Sequence, residues 1–99
     1  MKFGGKVTLN ETTGAAPALA VVNPAFKGEP AHLVIGWTGT GNLKLNGMVS
    51  IDGKTFGGKM TINQSGYAGL AIVSPSADKL DIAWTGVQTG PRHLNFMQV

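Results

Sequence analysis

The sequence predicts an all-β fold, and three observations carry this prediction: an internal repeat, abundant turn residues, and short runs of β-branched residues. Fifteen glycines and five prolines in 99 residues interrupt the apolar runs, as expected for many short strands joined by tight turns. A hydrophobic content of 42% with 13% charged residues is typical of a globular chain. Helix is therefore expected to be almost absent.

The internal repeat consists of four segments that each occur twice in the same order. FGGKVTLN at 3–10 returns as FGGKMTIN at 56–63, LAVV at 19–22 as LAIV at 70–73, WTG at 37–39 again at 84–86, and LNGM at 45–48 as LNFM at 94–97. The offsets run from 47 to 53 residues. Such a period suits a four-stranded propeller blade, for which roughly 40–50 residues are usual.

Eight strands are expected from the apolar runs between turn residues. They are Gly4–Leu9, Pro17–Val22, His32–Thr38, Leu43–Ser50, Phe56–Ile62, Gly69–Val73, Leu80–Thr85 and His93–Val99. We name the four strands of a blade inner, second, third and outer. In these terms the chain consists of one outer strand, then a complete blade, and then the inner, second and third strands of another blade. We therefore divide the chain into a complete blade at 16–63, a blade at 67–99 without its outer strand, and an outer strand at 3–10.

The division into blades predicts self-association. Two blades cannot close a ring, and an unpaired blade edge is a template for another strand. We expect residues 3–10 of one chain to complete the second blade of its neighbour, in a head-to-tail interface that closes. Six blades from a homotrimer are the leading expectation and eight from a homotetramer the second, whereas whole two-blade chains exclude a seven-bladed ring.

The segment from Ser50 to Phe56, SIDGKTF, resembles the Asp-box, S-x-D-x-G-x-T-W/F, of sialidase-like propellers, although here the glycine directly follows Asp52. The resemblance implies a structural role as a turn between the third and outer strands. Asp52 would accept backbone N–H bonds, and Gly53 would supply a positive φ. Thr55 and Phe56 complete the motif. Together with the repeated segments, it also resembles highly repetitive bacterial propellers over nearly the whole chain.

Five residues are candidates for binding a ligand. Trp37 and Trp84 end the two second strands, where packing between blades is the favoured explanation and stacking of an indole on a sugar ring the alternative. Tyr67, Arg92 and His93 are expected on one end of the sheets, the end where propellers usually bind ligands. The alternative for these three is that they are solvent-exposed turn residues.

Several classes of function are excluded or disfavoured. Enzymatic activity is not expected, because sialidase-like chemistry requires an arginine cluster and this chain has one arginine. No metal or other cofactor is expected, since cysteine is absent and His32 and His93 lack a suitably spaced carboxylate. The eight basic residues form no stripe, which disfavours nucleic acid. No segment is long and apolar enough for a membrane.

The expected function is therefore that of a self-assembling β-propeller that acts as a multivalent, lectin-like module for carbohydrate. The alternative is a structural or minimal propeller assembly with neither a specific ligand nor catalytic activity. Without a signal peptide in the sequence, a soluble and by default cytoplasmic protein is expected.

Overall fold

Seven antiparallel strands in two sheets make up the computed structural model, which describes residues 5–87 and 92–99. The strands are β1 (Ala18–Val22), β2 (His32–Thr38), β3 (Lys44–Ser50), β4 (Gly57–Ser65), β5 (Leu70–Val73), β6 (Asp81–Thr85) and β7 (Leu94–Gln98). The described residues contain no helix. The all-β prediction is confirmed.

The strand order follows the sequence in both sheets. The first sheet has the order β1-β2-β3-β4 and the second the order β5-β6-β7, as the assignment of inner, second, third and outer strands predicts. Each of the seven strands lies within three residues of its expected bounds. Neighbouring strands are consecutive in the chain because connections of five to nine residues join antiparallel strands directly.

The eighth predicted strand, Gly4–Leu9, is not present as a strand. Residues 5–9 belong to no sheet, and Gly4 lies outside the described residues. The prediction placed this strand at the edge of β7 in a second chain. Within one chain, residues 7–9 lie beside Ile35 and Trp37 of the first sheet, away from the open edge of β7. Extended backbone without a hydrogen-bonded neighbour is not a strand of a sheet, because the ladder of N–H and C=O groups remains unmade.

Each sheet has a face that carries its tryptophan, here called the tryptophan face, and an opposite face. The tryptophan face of the first sheet carries Leu19, Val21, Ile35, Trp37 and Met48, and that of the second carries the equivalent Leu70, Ile72, Ile82, Trp84 and Met97. This division follows from the strict register of the ladders, in which side chains alternate between faces.

The core lies between the two sheets, where the tryptophan face of the second packs on the opposite face of the first. It consists of Leu45 from β3 together with Leu70, Ile82 and Trp84. Gly36 makes this approach possible, since a Cβ at that position would lie 3.1 Å from Cδ1 of Leu70. The packing leaves two sheet faces uncovered by a third sheet: the tryptophan face of the first and the opposite face of the second.

Candidate functional site

One end of both sheets, here called the loop end, gathers the β2–β3 and β6–β7 turns with the segments that lead into β1 and β5. Two backbone hydrogen bonds recur there in both repeats. In the first, Gly14 N donates to Thr38 O at 3.1 Å, and its equivalent Tyr67 N donates to Thr85 O at 2.9 Å. In the second, Gly39 N donates to Lys44 O at 2.9 Å, and its equivalent Gly86 N donates to His93 O, also at 2.9 Å. The two repeats therefore share their backbone geometry at the loop end, whereas the side chains at this end differ between the two sheets.

Tyr67 and Arg92 meet at the loop end of the second sheet. The guanidinium carbon of Arg92 lies 3.5 Å from the centroid of the Tyr67 ring, which is a close stack of a planar cation on an aromatic face. Tyr67 is 55% exposed, and Arg92 is also exposed. The pair therefore presents an aromatic ring, a phenolic hydroxyl and guanidinium N–H donors to solvent at one place.

His93 follows Arg92 and is exposed beside the same pair. Its carbonyl oxygen accepts hydrogen bonds from Gly86 N at 2.9 Å and from Nδ2 of Asn95 at 3.3 Å. These bonds hold its backbone and leave the imidazole uncommitted among the described residues. Residues 88–91 of the same turn lie outside the described residues.

The two candidate tryptophans occupy packing positions. Trp84 is 5% exposed within the core between the sheets, and Trp37 is 4% exposed. Neither indole offers a free face to a sugar ring. Trp37 is enclosed in part by residues 7–13, which lie over the tryptophan face of the first sheet.

The segment at residues 5–9 keeps features of the outer strand to which its sequence is equivalent. Gly5 has a φ of 65° and its equivalent Gly58 in β4 has a φ of 61°. Leu9 is half-buried near Ile35 and Trp37, just as its equivalent Ile62 is half-buried against the core around Trp84. Residues 7–9 therefore lie beside the tryptophan face of the first sheet, where Leu9 takes a place comparable to that of Ile62 at the core.

A polar cleft on the tryptophan face of the first sheet was not found from the sequence. Lys59 Nζ lies 2.7 Å from Oε1 of Glu11, and the hydroxyl oxygens of Thr12 and Thr40 are 2.8 Å apart. The Lys59 ammonium also lies 6.0 Å from the centroid of the Trp37 ring. Glu11 and Lys59 are 48 residues apart, so no local sequence pattern indicates that they meet.

The turn between β3 and β4 is held by Asp52. Its Oδ1 accepts hydrogen bonds from Thr55 N and Lys54 N, both at 2.8 Å, and from Ser50 Oγ at 3.0 Å. These bonds, first of all the one from Thr55 N and then that from Lys54 N, lower the pKa of Asp52 to about 2. Gly53 has a φ of 74°, so the geometry is that of a structural turn.

The structure brings together no constellation for metal chemistry in the described residues, where no cluster of three or more His, Cys, Asp or Glu side chains is found. Nor does any helix within residues 5–87 and 92–99 reach the length and apolar character needed to cross a membrane. Comparison with family models, with curated proteins and with solved structures finds no match for the chain.

Proposed function

We propose that the chain associates with further copies of itself into a closed β-propeller and that this ring is a multivalent binding module for carbohydrate. The observation that carries the proposal is the exposed pair of Tyr67 and Arg92 at the loop end. The assembly part rests on the two uncovered sheet faces.

The packing inside the chain is the template for packing between chains. Inside the chain, the opposite face of the first sheet receives the tryptophan face of the second. The uncovered opposite face of the second sheet carries the equivalent positions, with Phe96 65% exposed and Leu94 80% exposed. The uncovered tryptophan face of the first sheet carries Leu19, 60% exposed, and Val21, 56% exposed.

These two uncovered faces are the repeat equivalents of the two faces that pack together inside the chain. They should therefore be complementary to each other. A second copy placed by the same rotation that relates the two sheets would cover both. Such a contact is heterologous, and it closes into a ring when the rotation between successive copies is a whole-number fraction of a full turn. Exposed apolar patches of this kind mark interaction surfaces. Six blades from three chains remain the leading expectation, with eight from four chains second.

An orphaned acceptor lies on the same uncovered face of the second sheet. Oδ1 of Asp81 is buried without a hydrogen-bond partner among the described residues. Buried carboxylate oxygens are seldom left unpaired, because the lost hydration is costly. Because that oxygen is already closed to solvent in the single chain, a donor from a neighbouring chain would reach it only if the Asp81 side chain turned toward the interface.

The carbohydrate part of the proposal follows from the chemistry of the Tyr67–Arg92 pair. An aromatic ring offers the apolar face of a pyranose a stacking surface, and a guanidinium donates two parallel hydrogen bonds to a carboxylate or to neighbouring hydroxyls. A single exposed site of this size binds weakly. Repetition around a ring raises the overall avidity, by about a hundredfold or more where the ligands are suitably spaced.

The test is a glycan array probed with the wild-type protein, Tyr67→Ala and Arg92→Gln. Loss of stacking worth roughly 0.5–1.5 kcal/mol should weaken each site about two- to tenfold, and the signal on a dense array should fall further. Lys54→Gln is the matched control, since Lys54 carries the same charge on the β3–β4 turn, away from the pair. A silent array from an intact ring would overturn the carbohydrate proposal and favour the alternative of a structural assembly without a ligand.

A further inference from the structure

The second sheet ends at β7, whose outward edge has no neighbouring strand among the described residues. In the first sheet the equivalent edge, that of β3, is covered by β4. The pairs formed by β3 and β4 show which strand partners the equivalent residues of β7 lack. In the first sheet Leu45 faces Ile62, Asn46 faces Thr61 and Gly47 faces Met60.

A side-chain relay accompanies this pairing in the first sheet. Oγ1 of Thr61 donates to Oδ1 of Asn46 at 2.7 Å, and Nδ2 of Asn46 donates to the carbonyl of Lys44 at 3.0 Å. The bond between Thr61 and Asn46 fixes the register of β4 against β3. A shift by one residue would turn the Thr61 side chain to the other face of the sheet and break the bond.

Half of the same relay is present in the second sheet. Nδ2 of Asn95, the equivalent of Asn46, donates to the carbonyl of His93, the equivalent of Lys44, at 3.3 Å. Within residues 5–87 and 92–99, no donor reaches Oδ1 of Asn95. The residue equivalent to Thr61 is Thr8, in the repeated segment KVTLN of residues 6–10.

Thr8 cannot reach Asn95 of its own chain. Residues 7–13 lie on the tryptophan face of the first sheet, and the second sheet packs on the other side of that first sheet. The partner that would supply Thr8 is therefore a second copy of the chain, whose residues 5–9 would carry the outer-strand conformation already seen at Gly5.

We propose that residues 5–9 of one copy add to β7 of another in a single register, with Thr8 opposite Asn95, Leu9 opposite Leu94 and Val7 opposite Phe96. Oγ1 of Thr8 then donates to Oδ1 of Asn95 and completes the relay between chains. The inference rests on the self-association proposed above and specifies its partner and its pairing.

The pairing also carries the neighbouring chain to the Tyr67–Arg92 pair. In the first sheet Lys44 faces Ser65 across the β3–β4 ladder, so His93 would face Thr12 of the incoming chain. The candidate carbohydrate site at the loop end would then be shared between two copies, with Tyr67, Arg92 and His93 from one and Thr12 from the next.

Disulfide trapping tests the register, because the chain contains no cysteine and directly opposed residues lie within the span of a disulfide. Two single variants, Thr8→Cys and Asn95→Cys, are mixed and oxidised, so that a bond between the two variants is necessarily between chains. The double variant Asn46→Cys, Thr61→Cys is the positive control, in which the equivalent pair closes within one chain. Thr8→Cys mixed with His93→Cys tests a register shifted by two residues.

The expected result is a covalent dimer of twice 10.2 kDa from Thr8→Cys with Asn95→Cys, formed as readily as the bond in the positive control, and little from the shifted pair. A dominant shifted dimer, or no dimer from an assembled protein, would overturn the proposed register and leave self-association standing. If light scattering shows only monomer, self-association itself fails. Hydrogen exchange provides a second readout, since amides of residues 6–9 become protected in the assembly if the strand forms.

Discussion

Gly69 lies against the backbone of Ala16, so that a Cβ placed on Gly69 would be 2.7 Å from the Ala16 carbonyl oxygen. Gly69 immediately precedes β5, and Ala16 lies two residues before β1. The contact therefore brings together the segments that lead into β1 and β5. A backbone oxygen cannot move aside as a flexible side chain can, so this position is restricted to glycine.

Gly69→Ala is accordingly expected to destabilise the fold by about 1–3 kcal/mol through overpacking. For a chain of this size, that lowers the thermal midpoint by at least about 4 °C. Gly57→Ala is the matched control, because a Cβ there meets nothing within 4 Å. Thermal unfolding at equal protomer concentration measures both. A Gly69→Ala protein as stable as Gly57→Ala would contradict the close approach of the inner strands.

Asp52 makes the stability of the β3–β4 turn dependent on pH. Its pKa in the folded protein, about 2, lies below the ordinary aspartate value of about 3.9. Its contribution is therefore complete above pH 4 and is lost as the pH falls toward and through 2. The wild type should exceed Asp52→Ala in thermal midpoint at neutral pH, and the difference should shrink between pH 4 and pH 2.

The control for that experiment is Glu29→Ala, which removes an exposed carboxylate outside the turn. Its midpoint should stay close to that of the wild type over the same range of pH. A difference between wild type and Asp52→Ala that stays constant down to pH 2 would show that the ionised carboxylate does not hold the turn.

Phe96→Asp should dissociate the assembly without unfolding the chain. Phe96 is 65% exposed on the uncovered face of the second sheet and lies outside the core formed by Leu45 and Trp84. Burial of an unpaired carboxylate between chains costs roughly 3 kcal/mol, which weakens association on the order of a hundredfold. Light scattering should show a lower mass while the β-sheet circular dichroism remains.

Phe26→Asp is the matched control for Phe96→Asp. Phe26 is 71% exposed in the loop between β1 and β2, where it belongs to neither sheet face. The same substitution there should leave the mass unchanged. If the assemblies of both variants dissociate, or if neither does, the interface does not involve the opposite face of the second sheet.

The number of ligand sites should be one per chain, although each chain holds two repeats. Gly14 occupies the place of Tyr67 in the first repeat, as their equivalent hydrogen bonds show, so among the described residues only the second sheet carries the stacked pair. Titration calorimetry with a monovalent glycan identified on the array should give a stoichiometry of one. Two equal sites per chain would contradict a site at the Tyr67–Arg92 pair and place binding on features common to both repeats.

The strands and their order could be predicted because they depend on local pattern. Alternating apolar residues and glycine-containing turns specify β2, for example, whose bounds His32–Thr38 match the expectation. The strand predicted at Gly4–Leu9 depends instead on the edge of a second copy, and residues 5–9 pair with no strand of their own chain. Its sequence is that of an outer strand, yet sheet formation requires a neighbour.

The candidate site was predictable only in part. Placement of Tyr67 and Arg92 at one end follows from strand topology, whereas their stacking depends on loop conformations that differ between the repeats. The burial of Trp37 and Trp84 could not be decided from periodicity, because both faces of each sheet are apolar. The ion pair between Glu11 and Lys59 arises from tertiary packing between distant segments, and local sequence carries no signal for it.

The mass of the protein in solution tests the central claim most directly. Light scattering behind a sizing column, or native mass spectrometry, should give one sharp species at three times 10.2 kDa, or at four times this mass if the ring has eight blades. A folded species at 10.2 kDa, unchanged as the protomer concentration rises, would contradict the account, because the two uncovered sheet faces would then have no partner in a second copy.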